Sequence, residues 1–117
     1  MNHIVLVGRL TKDPENVILE SGKIVSNVIL AVQRSYKNEK GEYDADFINC
    51  EIWDALASSM KEYCRKGDVL AVKGRLHTDS YEVDGEKKYS QKVVAERWSC
   101  KINVDRKKVS TFFVIIK

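Results

Sequence analysis

The chain has 117 residues, of which 44% are hydrophobic and 32% are charged, and its formal net charge is +3 at pH 7. This length and composition are typical of one folded domain and exclude a disordered chain. No stretch approaches the roughly 20 apolar residues of a membrane helix, so we expect a cytoplasmic protein without membrane contact.

The positive charge is concentrated near the C-terminus. Residues 97–117 contain six basic residues and one acidic residue, whereas the rest of the chain contains fourteen basic and sixteen acidic residues. A strongly anionic partner would therefore have to be held by local basic patches together with a non-ionic contribution.

The cysteines predict neither a disulfide framework nor a zinc site. Cys50, Cys64 and Cys100 show no Cys-x-x-Cys spacing, and the sequence has only two histidines. We expect three reduced, buried thiols, with no metal and no cofactor.

The first half of the chain reads as three strands. Alternating residues predict a strand over 2–10, and β-branched residues predict a second over 24–34, after an excursion marked by proline and glycine. The polar stretch 35–46 predicts a long hairpin loop that leads into a third strand over 47–53.

One helix is predicted next. Asp54 is the expected N-cap of a helix over residues 55–66, which Gly67 would end. The side chains expected on its buried stripe are Leu56, Met60, Tyr63 and Cys64.

A fourth strand over 69–76 and a charged hairpin of 79–83 with 87–98 complete the pattern, with Asp84-Gly85 as the turn. Three strands, one helix and further strands favour an all-β fold with one helix, namely the OB-fold, a five-stranded β-barrel with extended β-hairpins. We assign this domain to residues 1–108. The apolar and basic residues 109–117 are expected to form an added strand or a docked segment.

Four aromatic residues fall in loops or on polar strand faces. They are Tyr36, Phe47, Trp53 and Tyr81. Exposed rings of this kind are what sequence-independent binding of single-stranded nucleic acid requires, because bases stack on them. The alternative is that Phe47 and Trp53 pack under a loop or against a partner subunit.

Basic residues near such rings would neutralise phosphates while the rings hold bases. The phosphate-binding candidates are Arg9, Lys12, Arg34, Lys37, Lys40, Lys73, Arg75, Lys87 and Lys88. For any one of these residues, an ordinary solvated charge is the alternative.

Residues 2–15 read Asn-His-Ile-Val-Leu-Val-Gly-Arg-Leu-Thr-Lys-Asp-Pro-Glu and closely resemble the opening of bacterial single-stranded DNA-binding proteins. The similarity continues through residues 27–32, 46–50, 63–67 and 74–78. It implies an OB-fold that assembles as a homotetramer, with a dimer as the alternative. It also implies nucleoid-associated binding of single-stranded DNA, without strong sequence preference, in replication, recombination, repair or DNA uptake. The four aromatic residues named above occupy the family's stacking positions.

The chain departs from that family pattern in two places. His77, Asp79 and Ser80 stand where members commonly carry basic residues, so fewer phosphate contacts are expected there. The usual Gly/Pro/Gln-rich linker and acidic, Pro-Phe-tipped end do not appear in the sequence. We therefore expect no recruitment of replication proteins through an acidic tail.

The alternatives to DNA binding are an enzyme, a protein-binding subunit and an RNA-binding protein. The carboxylates Asp44, Asp46, Glu51 and Asp54 have no histidine or metal-type companion nearby in sequence, so an enzyme is not expected and no catalytic residue is assigned. The alternative is an OB-fold accessory subunit of a primosome that holds a protein and binds nucleic acid weakly. Preferential binding of RNA is a third possibility.

Overall fold

The computed structural model describes residues 1–101 and 113–116, with only the backbone described for the last four. The elements in chain order are β1 (Ile4–Leu10), β2 (Asn16–Ile18), β3 (Ile24–Lys37), β4 (Tyr43–Trp53), α1 (Asp54–Tyr63), β5 (Val69–Val83), β6 (Glu86–Lys101) and β7 (Phe113–Ile116).

Five of these strands close into a barrel. Hydrogen bonding runs through β1, β5, β6, β4 and β3, and β3 returns to β1 where Leu10 lies opposite Leu30. The pairs are antiparallel except β4 with β6, which are parallel where Cys50 lies opposite Val93. The predicted five-stranded OB-fold barrel with one helix is confirmed.

Two short strands extend the barrel sheet. The β2 strand pairs with the start of β3, and the sequence did not predict it because three residues are too few to show a periodicity. The β7 strand pairs with the end of β6, where Phe113 lies opposite Lys101. Residues 102–112 and 117 lie outside the described residues, so the division of the chain at residue 108 stays a prediction.

The inward-facing side chains of the strands and α1 form one hydrophobic core. Trp98 is 1% exposed, and its indole N–H donates a hydrogen bond of 3.0 Å to the backbone oxygen of Leu56, which satisfies its one polar atom. All three cysteines are free and buried, as expected. The other large, fully buried side chains include Leu10, Leu30, Ile52, Met60, Leu70 and Val72.

The start of α1 differs from the prediction. Asp54 is not the N-cap; it is the first helical residue, with a φ of 50° at the sharp turn from β4. Its Oδ1 accepts a hydrogen bond of 3.0 Å from the backbone N–H of Ile24. The carboxylate therefore ties the helix to β3 and does not cap the helix.

The end of α1 also differs, because the helix ends at Tyr63 and not at residue 66. The buried carboxylate of Asp68 accepts a hydrogen bond of 2.8 Å from the backbone N–H of Arg65, and this draws residues 65–68 into a turn. Gly67, with a φ of 90°, lies in that turn. Tyr63 is exposed, so its assignment to the buried stripe was wrong.

The first hairpin has longer strands and a shorter loop than predicted. Its loop comprises residues 38–42, since β3 continues to Lys37 and β4 begins at Tyr43. The side-chain oxygen of Asn38 accepts hydrogen bonds from the backbone N–H groups of Lys40 (2.9 Å) and Glu42 (3.0 Å). This local network permits a tight turn, so the flanking polar residues pair as strands.

The second hairpin is formed by β5 and β6, which pair from Val69 to Val83 with one bulge between Lys73 and Gly74. The predicted two-residue turn is confirmed: Asp84 and Gly85 both have positive φ, as this type of hairpin turn requires. The fourth strand and the first strand of the charged hairpin are thus one continuous strand.

Gly74 has no room for a side chain, and we predict that Gly74→Ala destabilises the protein by about 1–3 kcal/mol. An added Cβ would overlap the backbone oxygen of Val94, so β6 would have to shift. Urea unfolding measures the loss. Gly41→Asn is the control, because Gly41 has open space around it and asparagine tolerates its positive φ. An equal loss in both variants would contradict the close approach at Gly74.

Candidate nucleic-acid interface

The outer face of β4 presents two large aromatic rings separated by polar groups. Phe47, Asn49, Glu51 and Trp53 alternate with inward-facing residues along the strand. Phe47 is 69% exposed and Trp53 is half-buried. Neither ring is sealed inside the barrel, so both offer surface to a ligand.

Trp53 lines a groove of about 360 Å³ together with side chains from β5 and β6. The parallel pairing places Glu51 opposite Val94, and the antiparallel pairing places Val94 opposite Arg75. The side chains that line this groove are Glu51, Trp53, Arg75, His77, Lys92 and Val94. An aromatic ring and a guanidinium group therefore share one open groove.

Phe47 lines a neighbouring groove, also of about 360 Å³. Asn49 and Leu76 lie in it, and Lys92 lines both grooves. Phe47 and Trp53 are six residues apart on one strand, which corresponds to about 20 Å. The two rings thus lie along one continuous surface.

Tyr36 and Tyr81 lie on the two hairpins, and both are exposed. Each hairpin also carries a second exposed tyrosine, Tyr43 or Tyr89, which sequence reasoning did not single out. Lys37 lies opposite Tyr43 and therefore shares its face, next to an irregularity in the pairing between Gln33 and Lys37. On the second hairpin Tyr89 lies opposite Ser80, the neighbour of Tyr81, so Tyr81 and Tyr89 lie on opposite faces.

Lysines cover one tyrosine of each hairpin. The Nζ atom of Lys37 is 5.7 Å from the ring centroid of Tyr43, and that of Lys87 is 5.8 Å from the centroid of Tyr89. Within residues 1–101, no ammonium group lies over Tyr36 or Tyr81 in this way. The alternation of Tyr43, Ala45 and Phe47 along β4 was the sequence signal that could have identified Tyr43.

Some of the candidate phosphate-binding residues already have partners. Arg34 donates a hydrogen bond of 3.0 Å from Nε to Oδ1 of Asp46, with Nη2 2.8 Å from the same oxygen, and the hydrogen bond raises the pKa of the guanidinium group. Lys88 pairs with Glu86 at 3.2 Å. Their charges are at least partly neutralised within the chain.

Other candidates are free of carboxylate partners in the part of the chain that the structure describes. Arg9 donates from Nη1 to the backbone oxygen of Gly67 at 2.9 Å. Lys73 lines a different groove, with Val5 and Arg97, so the structure does not bring it to Trp53. The candidates that form no ion pair with another described residue are Arg9, Lys12, Lys37, Lys40, Lys73, Arg75 and Lys87.

The sequence did not predict that Glu51 and Lys92 contact each other at this site. Glu51 accepts hydrogen bonds of 2.6 Å from the indole N–H of Trp53 and from Nζ of Lys92. No local sequence signal could have found the pair of Glu51 and Lys92, since its members are 41 residues apart. His77, which the sequence marked as a departure from the family pattern, lies 3.1 Å from Asp79.

The described residues offer little for metal or thiol chemistry. They contain no group of three or more histidine, cysteine or acidic side chains that could hold a metal ion. Burial raises the pKa of the Cys50 thiol to about 11, so its reactive thiolate is scarce at neutral pH. No helix in the described ranges is long and apolar enough to cross a membrane.

Comparison with known proteins identifies a family that matches this chain. The model of the family described as "Single-strand binding protein family" matches residues 1–103. The single-stranded DNA-binding protein of Enterococcus faecalis is 46% identical over 99 residues, which cover 84% of this chain and 53% of that protein. Single-stranded DNA-binding protein B of Bacillus subtilis is 45% identical over 96 residues, covering 81% of this chain and 85% of the relative.

A third relative, from Bacillus cereus, is also named single-stranded DNA-binding protein. It is 46% identical over 97 residues, covering 82% of this chain and 57% of the relative. The chain thus spans little more than half the length of the Enterococcus faecalis and Bacillus cereus proteins that it matches.

The two tryptophans should form two separate classes in acrylamide quenching of fluorescence. Trp53 lines an open groove, whereas Trp98 is 1% exposed, so the quencher should reach only Trp53. Trp53→Phe should remove the quenchable emission and leave the shielded emission. If the emission that remains in Trp53→Phe is readily quenched, the assignment of Trp98 to the core is wrong.

Proposed function

Because the chain belongs to the single-strand binding protein family, we propose that it binds single-stranded DNA without strong sequence preference. In this proposal bases stack on exposed aromatic rings, and lysine and arginine contact the phosphates. The observation that supports it best is the outer face of β4, where Phe47 and Trp53 lie along one open surface beside Arg75.

The two hairpins extend this surface. Tyr36 and Tyr81 are exposed and have no lysine over their rings within residues 1–101, so their faces are available to bases, whereas the rings of Tyr43 and Tyr89 each lie under a lysine. Base stacking needs a free π-face, and this difference favours the first two tyrosines as stacking residues.

Arg75 is the strongest phosphate candidate, because it shares a groove with Trp53 and forms no ion pair in the described part of the chain. Lys37, Lys40 and Lys87 on the hairpins are also available. Arg34 and Lys88 contribute less in this proposal, since their acidic partners would have to be displaced. Stacking on the aromatic rings supplies the remaining part of the affinity in this proposal.

The names of the relatives favour DNA binding over the accessory-subunit alternative. All three proteins described above are called single-stranded DNA-binding proteins, including one that this chain matches over 85% of its length. We propose a binding role without catalysis, exercised in the cytoplasm on strands exposed during replication, recombination, repair or DNA uptake.

Self-association is part of the proposal, with a homotetramer favoured over a dimer. The β1 strand pairs with β3 only through Arg9 and Leu10, so its earlier residues have one unpaired edge within the described chain. Val5 is 70% exposed on that strand, and Val7 is exposed beside it. An open strand edge with outward valines suits pairing with a second copy of the chain.

Trp53→Ala and Phe47→Ala should each weaken oligo-dT binding by about 1–3 kcal/mol, because a stacked base loses its partner. Fluorescence anisotropy of labelled oligo-dT measures the change, and circular dichroism checks that the fold is retained. Tyr63→Ala is the matched control, since Tyr63 is an exposed aromatic residue on α1, outside the proposed surface. Normal binding by both β4 variants would contradict the stacking role.

Val5→Glu should lower the oligomeric state measured by light scattering, because it buries a charge where two β1 strands would meet. Val17→Glu is the control, as Val17 is an exposed valine on β2. A monomeric wild-type protein would argue against self-association through β1, as would an identical mass for the wild type and Val5→Glu.

A further inference from the structure

The carboxylate of Glu51 joins two groups on the outer surface of the barrel. Its Oε1 accepts a hydrogen bond from the indole N–H of Trp53, and its Oε2 accepts one from Nζ of Lys92, each at 2.6 Å. The Glu51 side chain is only 13% exposed, and that of Lys92 is 32% exposed. Each carboxylate oxygen is therefore engaged by a different donor, in a partly desolvated position.

This arrangement restrains the indole ring of Trp53. The ring is held at its edge by a carboxylate two residues earlier on β4, and that carboxylate is itself held by a lysine from β6. The N–H edge is used for the restraint, while the flat face of the ring is the part that a base would contact. A ring that is already oriented loses less conformational entropy when a base stacks on it.

The same contact changes which cations are available. The hydrogen bond to Glu51 raises the pKa of Lys92, so the lysine stays protonated and its charge is neutralised locally. The other charged groups around this groove are Arg75, which forms no ion pair in the described residues, and His77, which contacts Asp79. Arg75 is left as the free cation beside Trp53.

From these contacts we propose that Glu51 is the positioning residue of this surface. It holds the indole of Trp53 in the orientation that receives a base, and it retains Lys92 so that this lysine does not contact phosphate. This inference rests on the proposed binding of single-stranded DNA.

The competing arrangement is that Lys92 leaves Glu51 for a phosphate when DNA binds. That exchange would leave a carboxylate with 13% exposure unpaired beside a phosphate backbone. Breaking a partly buried ion pair by removing one partner is costly, because the remaining charge is left uncompensated. The short contact and the low exposure of Glu51 therefore favour retention of the pair.

The slope of log affinity against log salt for oligo-dT distinguishes the two arrangements, since each phosphate contact on a single strand contributes about 0.7 to it. With the pair retained, Glu51→Gln frees Lys92 for a phosphate and steepens the slope by about 0.7, and adding Lys92→Gln restores the wild-type slope. If Lys92 already contacts phosphate, Glu51→Gln leaves the slope unchanged. The slope of the double variant is then shallower than that of the wild type by about 0.7. An unchanged slope in Glu51→Gln overturns the retention of Lys92.

The restraint on Trp53 is tested in the free protein by the decay of tryptophan fluorescence anisotropy. Glu51→Ala should add a fast component from local motion of the indole, whereas Glu51→Gln, which keeps an oxygen acceptor, should add a smaller one. Trp53→Phe supplies the Trp98 signal for subtraction. An unchanged decay in Glu51→Ala overturns the positioning role.

Glu62→Gln, on the exposed side of α1, controls for the loss of one negative charge elsewhere and should change neither measurement. The proposed function and this inference fail differently. If the wild type does not bind oligo-dT, the proposed function is wrong, and the anisotropy decay still reports whether Glu51 restrains Trp53. If the wild type binds and the Glu51 variants match it in both measurements, only the inference is wrong.

Discussion

The parallel pairing of β4 with β6 is the constraint on which the candidate surface depends. It places Glu51 opposite Val94, and β5 then adds Arg75 on the other side of β6. An aromatic ring, a carboxylate and two cations from three separate parts of the chain meet in this way. At Val94 the β6 strand is paired on both sides, with Glu51 of β4 and with Arg75 of β5.

Acidic residues of the same chain form ion pairs with part of the positive charge on this surface. Arg34 is paired with Asp46, Lys92 with Glu51 and Lys88 with Glu86, so several of the cations near the aromatic rings are matched by acids of the same chain. This agrees with the near balance of basic and acidic residues over residues 1–96. In the proposed function, this surface combines base stacking with phosphate contacts from the cations that remain unpaired in the described chain.

Each hairpin carries two exposed tyrosines whose surroundings differ. Tyr36 and Tyr43 are both exposed tyrosines of one hairpin, yet within residues 1–101 only Tyr43 has a lysine, Lys37, over its ring. Tyr81 and Tyr89 repeat the arrangement on the second hairpin. Composition alone does not separate these residues, since the difference comes from a lysine across the ladder in the first hairpin and two residues away on the same strand in the second.

Local patterns in the sequence determined the barrel strands, the single helix and the Asp84-Gly85 turn, because alternation, helix length and positive φ are properties of neighbouring residues. They also identified Phe47 and Trp53 on the outer face of β4. The tertiary structure determined the side-chain contacts that local sequence patterns do not encode. Asp54 bonds to Ile24 and does not cap α1, and Asp68 ends the helix early. Glu51 meets Lys92 because β4 and β6, distant in sequence, lie side by side in the closed barrel.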